Sequence, residues 1–181
     1  MEENLLKEIE KEISSYPVFE YAFLSSSDVP FSEKVRYICR TECPMYNKSW
    51  SCPPAVGTVS ECMERCRSFS DVFVFTTVAD VYDITDMRYT LPSRMEHRKV
   101  VRQIIPVFER RFGDVLALSG EACAICEKCA WPSEGCRHPE EMLACIESHG
   151  IVVPTLAENQ NMTLMLPGNT VVWFGMIFFN V

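Results

Sequence analysis

Asp71-Val-Phe-Val-Phe-Thr-Thr-Val-Ala79 is a continuous run of β-branched and aromatic residues. A run of this length and composition predicts a buried strand, and the rest of the chain reads outward from it. Upstream, Leu5, Ile9 and Ile13 recur at four-residue spacing, predicting an amphipathic helix over residues 4–15 that Tyr16-Pro17 ends. Val18 to Leu24 is apolar and aromatic enough for a second strand, closed by Ser25-Ser26-Ser27-Asp28. Thr58 and Glu61 form a T-x-x-E capping box, so a helix is expected from Val59, with Cys62, Cys66 and Phe69 along one face. Downstream, Asp80 to Asp86 reads as a loop and residues 86–112 as a long helix, broken or bent at Pro92 and Pro106. Gly113 caps it, and Val115 to Leu118 is a short strand. Pro139, with Glu140 and Glu141 in the first turn, starts another helix that Gly150 ends. Ile151 to Leu156 reads as extended. Met162 to Leu166 and Thr170 to Phe179, joined by Pro167-Gly168-Asn169, read as a closing β-hairpin. The expected fold is therefore α/β (or α+β). One domain spans residues 1–181, with a mixed sheet from the strands near 18–24, 71–79, 115–118 and 170–179, flanked by helices. Two cysteine-rich metal-binding loops are expected outside the sheet edge.

A chain of 181 residues can bury a hydrophobic core without disulfide staples. Its 48% hydrophobic and 23% charged content is that of an ordinary soluble globular protein. No apolar run approaches the roughly 20 residues of a membrane span. The opening Met1-Glu-Glu-Asn-Leu-Leu-Lys-Glu8 is acidic and helical, unlike a secretory signal. The expected location is the cytoplasm, where thiols stay reduced. Ten cysteines there argue for metal or redox chemistry over a disulfide framework. A net charge of −8 argues against nucleic acid as partner, because phosphate binding is driven by Lys and Arg.

The densest chemistry is Cys123-Ala-Ile-Cys126-Glu-Lys-Cys129-Ala-Trp-Pro-Ser-Glu-Gly-Cys136, in the pattern C-x2-C-x2-C-x6-C. Consecutive C-x2-C steps let a tight loop point successive sulfurs at one centre, as the thiolate cage of an iron–sulfur cluster requires. Structural zinc also uses C-x2-C, but as two pairs separated by a longer finger. Three evenly stepped cysteines with a fourth soon after fit a [4Fe–4S] cluster better. The strand before Cys123 places the loop at a strand's carboxyl end, where open α/β sheets put their sites. The helix expected after Cys136 turns its amino end towards the cluster, and Lys128, Arg137 and His138 offset its negative charge. Cys145 falls mid-helix and reads as core.

A second group is Cys39-Arg-Thr-Glu-Cys43-Pro-Met-Tyr-Asn-Lys-Ser-Trp-Ser-Cys52-Pro53-Pro54. Its prolines predict a stiff, irregular loop. The C-x3-C step is not followed by the C-x2-C of radical-SAM enzymes. Cys62, in the first turn of its helix, is the candidate fourth ligand, where the helix amino end favours a thiolate. Cys66, one turn on, reads as a small buried hydrophobe. The arginines of the long helix, Arg94, Arg98, Arg102, Arg110 and Arg111, read as a solvated face, and His97 as a satisfied or exposed histidine.

Three stretches together resemble a family of uncharacterised bacterial and archaeal proteins described as predicted metal-binding, DUF2284. They are Cys39-x3-Cys43-x2-Tyr46-x3-Trp50-x-Cys52-Pro53-Pro54-x2-Gly57-x4-Cys62, then Cys123-x2-Cys126-x2-Cys129-x-Trp131-Pro132-x3-Cys136-Arg137-x-Pro139-Glu140, and Glu147-x2-Gly150-Ile151-x-Val153. The resemblance runs from about residue 33 to the end, leaving residues 1–32 less characteristic. It implies a cysteine-ligated metal, iron–sulfur first, and little about activity. Two departures stand out: Ser119-Gly120-Glu121-Ala122 where the family has Gly-Ala-Gly, and Ala144-Cys145-Ile146 where it has Pro-Ser-Met, which implies that Cys145 is incidental.

Three functions remain in view. The first is a redox protein carrying one or two [4Fe–4S] clusters on Cys123, Cys126, Cys129 and Cys136 and on Cys39, Cys43, Cys52 and Cys62, passing electrons to a redox protein partner. The second is a structural or regulatory zinc protein with closed thiolate sites. The third is an enzyme in which Cys39, Cys43 and Cys52 leave an iron open to substrate, with His97, Arg94 or Tyr46 nearby. No Gly-rich phosphate loop, nucleophile elbow or H-E-x-x-H points to a separate catalytic apparatus.

Overall fold

Alternation along the central strand puts Val72 and Val74 on one face and Phe73 and Phe75 on the other, and all four are fully buried. A strand covered on both sides has no polar face to show, hence the unbroken apolar run. The computed structural model describes residues 3–181; Met1 and Glu2 of the acidic opening lie outside the described residues. In chain order the elements are α1 (Glu3–Ile13), β1 (Glu20–Ser25), α2 (Glu33–Thr41), α3 (Val59–Arg67), β2 (Asp71–Asp80), α4 (Met87–Phe112), β3 (Leu116–Ser119), β4 (Ala144–Cys145), α5 (Val153–Asn159) and β5 (Thr170–Phe179). The sheet runs β1-β2-β5-β3-β4. Each of its first four strands runs antiparallel to its neighbour, and β4 joins β3 in parallel. The result is one α+β domain with a mixed sheet, and all four expected strands are in it.

One face is covered by α1 and α4, whose Ile9, Ile13, Val101, Ile104 and Phe108 pack on Phe73, Phe75, Ile177 and Phe179. The other is covered by α3, α5 and the segment before α5, through Cys66, Ile146, Ile151 and Leu156 against Val72, Val74, Met176 and Phe178. α4 runs unbroken through Pro92 and Pro106, against expectation. An interior proline costs about 3 kcal/mol, but each fully buried aliphatic or aromatic side chain returns about 1.5–3 kcal/mol, and α4 buries Val100, Val101, Ile104, Val107 and Phe108.

Four further expectations are corrected. Residues 33–41 are helical: Ser32 caps α2, its side chain accepting from the Lys34 N–H, so Cys39 sits on a helix rather than in an irregular loop. The helix expected after Pro139 stops at a single turn, where Met142 N–H donates to His138 O at 3.0 Å. The chain then enters β4 and a 3-10 turn over Glu147–His149, because pairing with β3 (Ser119 opposite Cys145) takes the backbone out of helical geometry. Residues 153–159 are helical, with a proline in the first turn as helix starts favour. Met162 to Leu166 is not a strand, because β5 spends one edge on β2 along its full length and part of the other on β3.

Candidate metal centres

Cys123 follows β3 after a short connection, anchored where Gly120 N–H donates to Phe174 O at 2.9 Å. Cys123, Cys126, Cys129 and Cys136 all line one small cavity of about 20 Å³, with Ser49, Trp50, Arg137 and His138 also in its lining. All four are half-buried. Burial raises the Cys129 pKa, but donors from the backbone of Trp131, Trp50 and Ala130 and from the Ser49 hydroxyl outweigh it, and the net shift is downward. Those donors favour the thiolate form of Cys129. Arg137 donates to Lys128 O at 3.0 Å, bracing the loop across its own base.

The first cysteine group lies at a second, larger cavity of about 560 Å³. Cys39 reaches it from the last turn of α2, Cys43 from just past that helix, and Cys52 from the proline loop. Its apolar wall includes Val172, Trp173 and Phe174, where β5 has no neighbour beyond β3, and Glu121 and Glu147 supply carboxylates. Cys145 lines it too. Its sulfur donates to Glu147 Oε2 at 2.9 Å, and its backbone N–H to Ser51 O at 3.1 Å. Burial pushes the Cys52 thiol up to about 11, with neighbouring Cys43 and Cys39 adding to the rise and the Ser51 hydroxyl opposing it. Burial likewise holds Cys145 well above its ordinary value, with Glu147 and Cys52 contributing.

Cys62 lines neither cavity. The capping box forms as expected, but the first turn of α3 faces inward. The Cys62 thiol is fully buried, donates to Val56 O at 3.3 Å and lies 3.9 Å from an Arg36 nitrogen. Cys66 is core, as expected, and burial drives its pKa up to about 12. Among the described residues no three His, Cys, Asp or Glu side chains converge closely enough to hold one metal ion. The thiols surround their cavities instead of meeting at a point.

The two loops are stitched together. Trp50 and Trp131 meet edge to face at 4.7 Å. Trp50 Nε1 donates to Glu134 O at 3.0 Å, and Trp131 Nε1 to Asn47 Oδ1 at 2.9 Å. Ser51 joins both sites, its hydroxyl accepting from Cys123 N–H at 2.8 Å while its carbonyl accepts from Cys145 N–H. A family model described as "Predicted metal-binding protein (DUF2284)" matches residues 22–179. The chain belongs to the DUF2284 family. No curated protein and no solved structure matches it. The DUF2284 match begins earlier than the motif-based resemblance and takes in most of β1. It supports metal binding and does not specify the metal.

In this DUF2284 chain two residues near the centres escaped the sequence reading. Arg98 is not on a solvated face: it is fully buried and donates to Leu143 O at 3.3 Å and Glu121 O at 2.7 Å. Burial opposes its charge, and nearby Cys123 and Cys145 favour it. A single long helix carries exposed and buried arginines at helical spacing, so only its rotation on the sheet distinguishes them. Cys145 was hidden by the expected helix. His97 is a satisfied core histidine: Nε2 bonds Phe174 O at 2.9 Å, Nδ1 bonds Thr77 Oγ1 at 2.8 Å, and burial lowers its pKa to about 4.

Proposed function

We propose that the protein is an iron–sulfur protein that passes single electrons to a redox protein partner in the cytoplasm, with Cys123, Cys126, Cys129 and Cys136 holding a [4Fe–4S] cluster and the cavity at Cys39, Cys43 and Cys52 a second. The observation that carries this reading is four half-buried thiols in C-x2-C-x2-C-x6-C order lining one cavity, with donors already directed at the Cys129 sulfur. Soft thiolates select iron–sulfur, zinc or copper(I), and evenly stepped ones suit the cluster. A bound cluster supplies one-electron oxidation and reduction. The chain's own residues supply the thiolates, direct N–H groups at sulfur, and hold the buried Arg98 charge close to Cys123 and Cys145. Hydrogen bonds to sulfur, local charge and burial are the levers that set such a potential.

A second reading is structural zinc, which the same four thiols lining one cavity would also serve as a closed thiolate site. One anaerobic preparation separates the two. Iron, zinc and acid-labile sulfide are measured, and EPR is recorded before and after dithionite. About four irons per chain indicates one cluster and about eight indicates two. Colourless protein with stoichiometric zinc and no sulfide would sink the iron–sulfur reading.

A further inference from the structure

We infer that Cys145 is the fourth thiol of the N-terminal metal site, completing Cys39, Cys43 and Cys52, and that Cys62 has no part in it. The inference rests on the metal-binding reading above and specifies which side chains of this chain form its second site.

Cys145 is delivered to the cavity by two independent backbone ties. Its residue pairs with Ser119 in the parallel β3–β4 ladder, and Ile146 N–H donates to Ser119 O at 3.2 Å. Its own N–H donates to the carbonyl of Ser51, the residue before Cys52. One tie fixes it to the sheet edge and the other fixes it to the loop that carries the existing thiols. The two ties hold the backbone of residue 145 from both sides.

A buried free cysteine is ordinarily a small hydrophobe, and this chain contains such a cysteine for comparison. Cys66 sits in the apolar cluster over the sheet. Cys145 belongs to neither apolar cluster, although the adjacent Ile146 does. Its sulfur faces the cavity wall instead, hydrogen-bonded to the carboxylate of Glu147, which lines the same cavity. Metal binding needs the thiolate, so loading the site would release this proton and break that contact. Cys62 is oriented the opposite way. Its thiol donates to Val56 O, and Arg36, which also donates to Gly57 O at 2.6 Å and to Ser148 O, lies across it. Bringing Cys62 to the cavity would require α3 to turn on its axis and withdraw its fully buried Cys62 and Cys66 face from the core.

The full-length chain and its Cys39→Ser, Cys62→Ala, Cys145→Ser and Cys145→Ala variants would be reconstituted anaerobically, with iron, zinc and sulfide per chain and EPR spectra recorded. If the wild type holds two clusters, Cys145→Ala should lose about half of its metal, matching Cys39→Ser. Cys62→Ala should retain wild-type metal and spectra. Cys145→Ser should show an altered EPR signal even if some iron stays, because oxygen replaces sulfur at one position. Wild-type metal and spectra in Cys145→Ala would overturn the inference and leave three thiols with an open position. Metal loss in Cys62→Ala equal to that of Cys39→Ser, with unchanged far-UV dichroism, would overturn it too. If Cys145→Ala fails to fold, alkylation of the wild-type chain decides the matter: Cys145 should be protected on metal loading together with Cys39, Cys43 and Cys52, and reactivity unchanged by loading would overturn the assignment. A wild-type chain that takes up neither iron nor zinc would instead refute the metal reading itself.

Discussion

At the scale of single residues, Arg98 ties together more of the site than any sulfur does. Its guanidinium holds the carbonyls of Leu143 and Glu121, each two residues before a cavity cysteine, so one side chain from α4 positions the approach to both Cys145 and Cys123. Arg98→Met should leave both carbonyls without that donor and cost roughly 2–4 kcal/mol in urea unfolding. Arg98→Lys should recover little, because an ammonium lacks the planar fork that reaches two acceptors at once. His97 yields a pH prediction. Its pKa falls from 6.5 to about 4 on folding, so the unfolded chain takes the proton first. The stability this provides is fully present above pH 6.5 and is lost as pH falls towards 4. The difference amounts to about 3 kcal/mol. The His97 ring signals in NMR should stay those of a neutral imidazole down to pH 5; a midpoint near 6.5 would show that the ring is not desolvated.

At the scale of elements, α3 and the 3-10 turn over Glu147–His149 meet closely at Gly150. Gly150 has φ of 81°, and a Cβ there would lie 2.7 Å from Val59 Cγ1. Gly150→Ala should therefore destabilise by about 1–3 kcal/mol through backbone strain and clash together. Adding Val59→Ala should recover only the clash, a split that thermal unfolding of the single and double variants would measure. At the other end of the same contact, Thr58→Ala removes the side chain that accepts from Glu61 N–H at 3.2 Å and should cost about 1 kcal/mol. α2 belongs to a different class. None of its residues is buried, and its Val35, Ile38 and Cys39 face the cavity instead of the core. The helix is only nine residues long, and Pro44, Pro53 and Pro54 mask it in the sequence.

At the scale of the whole molecule, the two cysteine groups form one structural unit hinged on Ser51. Replacing Ser51 by Ala removes the acceptor for Cys123 N–H while sparing the backbone bond to Cys145. Amide exchange at residue 123 should quicken, and metal retention at Cys123–Cys136 should fall more than at the other group, as chelator competition would reveal. Equal loss at both groups would mean that the indole pair of Trp50 and Trp131, not Ser51, carries the coupling. Among the described residues no helix is long and apolar enough to cross a membrane.

The sequence by itself determined the four long-range strands, the capped α3, the extent of α4, and the set of thiols from Cys123 to Cys136, because each rests on local signals: periodicity, a capping box, or ligands within one loop. It favoured Cys62 over Cys145 as a ligand, on a capping box for the one and a mid-helix position for the other. Both are cysteines at helix-compatible positions, and their roles depend on whether a short segment pairs with β3 or coils. Only the tertiary structure decided that, since a two-residue strand exists solely through its partner. The same holds for Arg98, whose burial depends on how α4 is rotated on the sheet. It holds also for the meeting of the two cysteine groups, which depends on hydrogen bonds between residues some seventy positions or more apart.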